Sequence, residues 1–380
     1  MVNEGHKVEK ERLEMQEADK EGRSSSACNR IAPIRCIVKL GGDSFCLLLL
    51  SLVDLSMIVW EFVLRSRGAA ITCKKKLETI HEENLRTVSM QLRETMCSQS
   101  LAGKTLGMDW SKRQGVSVIA SPVDEYRDVP SLDCSRFVVV HGAGSFGHFQ
   151  ASQSGVHRGG MDQPLVKAGF VATRISVTTL NLEIVRALAT EGIPSVGMSP
   201  FSCGWSTCKR NISSAPLSGV QNAINNGFVP VMHGDAVFDE SLGCTILSGD
   251  VIISHLAAHL MPKYVVFLTD VLGVYDRPPS DADAVLLKEI VVDEQGNWSV
   301  LKPALQNMNS EAIETSVADH DTTGGMLTKI AEAASIAKLG VTVYIVKVAT
   351  PYSFKALSGE LLNVVPDDWL GTIICRRNKD

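Results

Sequence analysis

The sequence predicts an α/β fold built on a mostly parallel sheet with helices on both faces. Three observations predict it: short β-branched apolar runs recur from Arg35 onward, helical stretches alternate with them, and many of the runs end in glycine. The runs are continuously apolar, the pattern of strands covered on both faces. With 380 residues, 45% hydrophobic and 21% charged, the chain has room for one large α/β domain or two ordinary ones. That composition excludes a disordered, collagenous or disulfide-scaffold protein.

In chain order, residues 1–33 carry charge and serine but no apolar signal core, and are expected to form a disordered tail. Glu4, Glu9, Glu11, Glu14, Glu17, Asp19 and Glu21 argue against organelle import. Strands are expected at 35–42 (RCIVKLGG), 136–142 (RFVVVHG), 228–234 (FVPVMHG), 264–270 (YVVFLTD) and 341–348 (VTVYIVKV). Helices are expected over 166–192 and 325–340, and two alternating runs around Gly296 predict a β-hairpin over 285–303. One segment breaks the rhythm. Residues 45–64 are apolar over about the ~20 residues that span a bilayer. Asp54 at its middle argues against a span, since a central acid costs ~2.5–3.5 kcal/mol on insertion, and the segment starts directly after a strand-glycine turn. An extra helix and a splice or gene-model insertion are the other readings.

The net charge of -5, with 37 basic and 42 acidic residues interspersed, offers no basic stripe for a nucleic acid. The ten cysteines are scattered, and the nearest pair, Cys203 and Cys208, has neither CxxC spacing nor a neighbouring histidine. Reduced thiols in a cytoplasmic setting, with no structural zinc and no metal-ligating residue set, are expected.

Four motifs carry chemistry. Lys39 stands two residues before the Gly41–Gly42 pair at a strand end, where freed N–H groups and a point charge approach an anion. HGAGSFGH (141–148) follows the strand FVVV and contains G-x-G-x-x-G, which opens a nicotinamide-binding reading. The acid that fingerprint needs at the end of a second strand is missing, because Asp162 lies in a Gly/Pro loop. In the third, His233-Gly234-Asp235, Ser248-Gly249-Asp250 and the run from Leu268 through Asp270 and Gly273 to Tyr275 each lie at or near the end of a candidate strand. Open α/β sheets gather ligands at such ends. In the fourth, Gly324 and Gly325 open a helix with Lys329 one turn in. Lysines, glycine loops and a helix N-terminus around strand ends make a phosphoryl-transfer apparatus, in which positioning and charge cancellation do most of the work. There is no G-x-x-x-x-G-K-[ST], H-R-D or D-F-G, so neither a P-loop enzyme nor a protein kinase is indicated.

The set KLGG, HGAGSFGH, SGD, LTDVLGVYDRPP and DTTGGMLTK resembles the amino-acid-kinase superfamily and, within it, the isopentenyl phosphate kinases of the plant type. The resemblance runs from about Arg35 to the C-terminus apart from the apolar insert. It implies an open αβα sandwich in a single domain over 34–376, with an acceptor lobe at about 34–245 and a nucleotide lobe at about 246–376. It further implies a homodimer, and ATP- and Mg²⁺-dependent phosphorylation of isopentenyl phosphate to isopentenyl diphosphate. In that reading Lys39 and Lys329 neutralise the transferring phosphoryl group and Asp250 orients them. Gly41, Gly42, Ala143 and Gly325 line the ATP, Lys74 reaches its phosphates, and Asp270, Gly273 and Tyr275 hold the nucleotide. Gly142, Gly147, His148 and Gly249 surround the acceptor. Ala143 replaces a glycine usual in archaeal relatives. Removing residues 43–68 restores an unbroken KLGGAAIT motif, so the alternative to an active kinase is an insert-inactivated variant, poorly soluble and nearly inactive as written.

Overall fold

The computed structural model describes residues 33–41, 70–73, 76–97, 107–109, 136–277, 279, 281–303 and 325–377. The expected tail up to Ala32, the insert 43–68, Gly42 and Lys74 lie outside the described residues, and Gly325 and Lys329 are described in backbone only. In chain order the elements are β1 (Cys36–Leu40), α1 (Glu82–Met96), β2 (Phe137–His141), α2 (Gly144–Ser154), α3 (Pro164–Thr190), β3 (Ser195–Met198), β4 (Ser206–Cys208) and β5 (Asn211–Ser214). Then come α4 (Ser218–Asn225), β6 (Val229–His233), β7 (Asp235–Asp239), β8 (Gly243–Leu247), α5 (Gly249–Leu260), β9 (Tyr264–Thr269), β10 (Val274–Tyr275) and β11 (Leu286–Leu287). The last are β12 (Glu289–Val292), β13 (Trp298–Lys302), α6 (Gly325–Lys338), β14 (Thr342–Lys347), α7 (Pro351–Ser358) and β15 (Thr372–Arg376).

The five continuously apolar runs all become strands of one nine-stranded sheet, in the order β13-β12-β15-β14-β9-β1-β2-β6-β3. From β14 to β3 every neighbouring pair is parallel, while the expected hairpin, β12 and β13, ends the sheet at its far edge. Alternate residues of β1 serve opposite faces. Ile37 joins Val265, Phe267, Ile252 and Ile330 under α4, α5 and α6; Cys36, Val38 and Leu40 join Leu180, Val88 and Leu357 under α1, α3 and α7. The result is the αβα sandwich. A second, four-stranded sheet, β5-β4-β7-β8, has no counterpart in the sequence reading. No helix among the described residues is long and apolar enough to cross a membrane.

The strand order positions the site. β1 is followed by β2, β6 and β3 on one side and by β9 and β14 on the other, so the order reverses at β1 and a crevice opens beyond the carboxyl ends there. Register brings those ends level: Leu40 pairs with His141 and with Leu268, and His141 pairs with His233. Gly41, Gly142, Gly234 and Thr269 therefore leave the sheet along one rim. The helix α2 starts within the HGAGSFGH run, at Gly144, whose φ of 54° turns the chain, and His148 lies in its second turn.

Candidate active site

Lys39 stands on the α5 face of β1 and is 1% exposed. Its Nζ touches Oδ1 of Asp250 and lies 5.5 Å from the centre of the Phe267 ring. Asp250 reaches it because Ser248 caps α5, its Oγ accepting the Val251 N–H at 3.2 Å, which sets Asp250 in the first turn at the positive end of the helix. Withdrawing a lysine and a carboxylate from water together is tolerable only as a pair. The pair forms part of the wall of a cleft that also meets Gly142, Gly147, His148 and Gly249.

Glycines let the walls of the cleft close up. A Cβ on Gly41 would lie 2.6 Å from the Leu268 carbonyl oxygen, the same oxygen that accepts the Gly41 N–H at 2.9 Å. A Cβ on Gly249 would lie 3.0 Å from the His141 carbonyl oxygen, and one on Gly147 would lie 2.5 Å from Val177 of α3. His148 is half-buried on the α2 wall, and burial lowers its pKa, so a neutral imidazole faces the cleft. Thr173 of α3, also in the cleft wall, is 2% exposed, and its Oγ1 has no hydrogen-bond partner among the described residues.

The structure therefore brings Lys39, Asp250, Gly142, Ala143, Gly147, His148 and Gly249 to one cleft. Gly41 borders it at the end of β1. Asp270, Gly273 and Tyr275 sit beyond the end of β9, the neighbour of β1, and are outside that cleft. There, a Cβ on Gly273 would lie 2.5 Å from Thr372 Oγ1, and Tyr275 is half-buried, its pKa raised by that burial. Gly325 and Lys329 open α6, which packs on α5 through Glu332 and Ser254.

Sequence reasoning placed Asp235 at a ligand-gathering strand end but missed the residues that hold it. Asp235 is buried, and its carboxylate accepts from Ser199 Oγ at 2.6 Å and from Arg174 Nε at 3.3 Å, while the Arg174 guanidinium covers the Phe201 ring at 4.1 Å. It also missed Thr173 and the partners of the two strand-end histidines, His141 and His233. Only those two left a signal, a repeated His-Gly at two strand ends, and it reads as turn chemistry until the strands are placed side by side.

The chain resembles known proteins in sequence and in fold. The amino acid kinase family model matches residues 108–347. An isopentenyl phosphate kinase of Arabidopsis thaliana is 62% identical over 348 residues, which cover 91% of this chain and 97% of that protein. One from Methanothermobacter thermautotrophicus is 35% identical over 242 residues, or 61% of this chain and 84% of that one. Among solved structures, an isopentenyl phosphate kinase superposes with a TM-score of 0.58 at 26% identity, covering 90% of this chain and 99% of its own.

Proposed function

Since the chain belongs to the amino acid kinase family and, within it, to the isopentenyl phosphate kinases, we propose that it transfers the terminal phosphoryl group of ATP to isopentenyl phosphate, making isopentenyl diphosphate and ADP. The observation that carries the reading is the buried Lys39–Asp250 pair in a cleft walled by glycine backbone and His148. An acceptor phosphate oxygen attacks the γ-phosphorus as the bond to the β–γ bridging oxygen breaks, and the electron pair of that bond leaves with ADP. Little covalent chemistry falls to the protein; holding the two phosphates in line and cancelling their charge is its main task. Lys39 lies where it can follow the transferring group, with Asp250 fixing its direction, and Lys329 joins from α6. The first turn of α5 adds N–H groups to the acceptor side.

His148, neutral, donates one hydrogen bond to the acceptor phosphate. Asp270, Gly273 and Tyr275 hold the nucleotide beside Gly41. Mg²⁺, which this kinase reading implies, would supply positive charge against the ATP phosphates when bound. The same reading extends to a cytoplasmic homodimer with an acceptor lobe over about 34–245 and a nucleotide lobe over about 246–376.

The test is ATP-dependent formation of isopentenyl diphosphate, followed by mass spectrometry of the product and by ADP release. His148→Ala is expected to lose ~10–100-fold in kcat/KM for isopentenyl phosphate, the worth of one charge-assisted hydrogen bond, with ATP affinity by calorimetry unchanged. Loss of ATP binding with the acceptor constants intact would assign the cleft to the wrong substrate.

A further inference from the structure

His141 and His233 end neighbouring parallel strands in register, and both are buried, at 0% and 1% exposure. Their rings stack with centroids 5.5 Å apart and planes 27° from parallel. Each ring does the same thing to its own chain: His141 Nδ1 lies 2.9 Å from the Gly142 carbonyl oxygen, and His233 Nδ1 lies 2.9 Å from the Gly234 carbonyl oxygen. A carbonyl can only accept, so in both rings Nδ1 carries the hydrogen, and Nε2 of a neutral ring is then an acceptor. The surroundings of His141 agree. Its Nε2 receives the Asn181 Nδ2–H at 3.0 Å, and Asn181 Nδ2 also donates to the Val231 carbonyl at 3.0 Å. One arrangement of protons satisfies the whole set. Burial first, and then the neighbouring histidine, push the His141 pKa down to about 3; burial also lowers that of His233.

A trans peptide points its C=O and N–H in opposite directions. With the Gly142 carbonyl tied back to His141, the next N–H, that of Ala143, points away from the ring, and Ala143 itself lines the cleft. With the Gly234 carbonyl tied to His233, the chain enters β7, pairing Asp235 with Leu247. Gly234 is then the floor between two wall segments: a Cβ there would lie 3.3 Å from the Gly249 nitrogen and 3.8 Å from the Ala143 nitrogen. The unpartnered Thr173 hydroxyl, also in the cleft, is a separate sign that a polar ligand belongs there.

We propose that His141 and His233 are positioning residues: as Nδ1–H tautomers they latch the glycine peptides that follow them, His141 aiming the Ala143 N–H at the acceptor phosphate and His233 fixing the floor against which that loop rests. The proposal rests on the reading of this cleft as an acceptor-phosphate site.

The two ring nitrogens can be separated by side-chain length, because an asparagine amide stands near the place of Nδ1 and a glutamine amide near that of Nε2. His141→Gln, which drops the latch but keeps a partner for Asn181, is expected to lower kcat/KM for isopentenyl phosphate ~10–100-fold with KM for ATP unchanged. His141→Asn, which keeps the latch, should recover most of the loss; the pair His233→Gln and His233→Asn should repeat the pattern, and serves if a His141 variant fails to fold. Equal losses in Gln and Asn variants, or a larger loss in Asn, would reduce both histidines to packing residues. Calorimetric binding of methyl phosphate, which requires no turnover, is the second arm. If the wild type turns over isopentenyl phosphate while every variant binds methyl phosphate alike, the latch alone falls. A wild type that binds no methyl phosphate and turns over no isopentenyl phosphate removes the cleft reading and the latch with it. Methyl phosphate binding that weakens in His141→Gln and persists in His141→Asn sustains the latch whatever the acceptor turned over.

Discussion

At the scale of single residues, the proposed roles of Lys39 and Asp250 would bind stability and chemistry into one contact, and the two can be pulled apart. Removing one member of a buried pair strands the other, at a cost of about 3–5 kcal/mol, whereas replacing both with uncharged groups is often nearly neutral. Lys39→Met should therefore melt well below the wild type, and Lys39→Met/Asp250→Asn should regain most of the loss. Neither should work: losing a charge aimed at the transferring group is expected to lower kcat by ~10²–10³-fold, far more than it changes acceptor KM. A double variant that regains activity together with its melting temperature would make the pair a packing feature only. The buried histidines set a pH dependence whose sign follows from their lowered pKa values. An unfolded histidine titrates near ~6.5, and native His141 near about 3. Between those values the unfolded chain holds a proton that the native chain refuses. The stability due to the neutral ring is complete above pH ~6.5 and falls as the pH drops, by up to ~1.4 kcal/mol per pH unit for each such histidine. His148 and His233 act in the same direction. Urea midpoints at pH 7, 6 and 5 should fall steadily, and more steeply than in His141→Asn; a flat profile would contradict the neutral, buried assignment.

At the scale of elements, the sheet was legible because burial on both faces leaves one readable mark, an unbroken apolar run such as CIVKL or FVVVH. The second sheet left none. β5 is NISS, polar and largely exposed, and β4 has only three residues, so neither alternation nor a run could show. The start of α2 was hidden for another reason: Gly144 turns beneath Thr72, whose Oγ1 would lie 2.3 Å from a Cβ there, and a partner so distant in the chain is invisible to a local pattern. The glycines were read as places where backbone meets a ligand, and the structure shows Gly41, Gly147 and Gly249 each meeting another part of the protein. Gly41 meets the backbone of β9, which cannot move aside as a flexible side chain would. Gly41→Ala should push β1 and β9 apart where their ends must stay level, at about 1–3 kcal/mol and a few degrees of melting temperature. It should weaken nucleotide use more than acceptor use, since it disturbs the β1–β9 side of the rim. An unchanged melt would show that the strands absorb the methyl group without strain.

At the scale of the whole molecule, the decisive place is the interruption between β1 and α1. A Cβ on Gly41 would lie 3.5 Å from that of Ala70, the Ala70 carbonyl accepts from Asn84 Nδ2 at 2.8 Å, and the Ile71 carbonyl accepts the His81 N–H at 2.9 Å. The two ends that flank residues 42–69 thus meet at one point, each pinned to the fold. Because loop-closure entropy varies only logarithmically with length, deleting residues 43–68 should leave the melting temperature within a few degrees. The shortened chain should be soluble and phosphorylate isopentenyl phosphate, and the full chain much less so on both counts. Equal activity in the two would mean that the segment folds away from the phosphates. The meeting of those ends has a consequence for a chain that has been cut. A protease nick within the segment would leave Lys39 on a separate N-terminal peptide ending near the active cleft. That peptide would be held by two parallel ladders, to β2 and to β9, with Cys36, Ile37, Val38 and Leu40 all buried. The nicked protein would behave as a tight noncovalent complex, the lysine proposed for phosphoryl transfer supplied in trans and released only when the sheet itself comes apart.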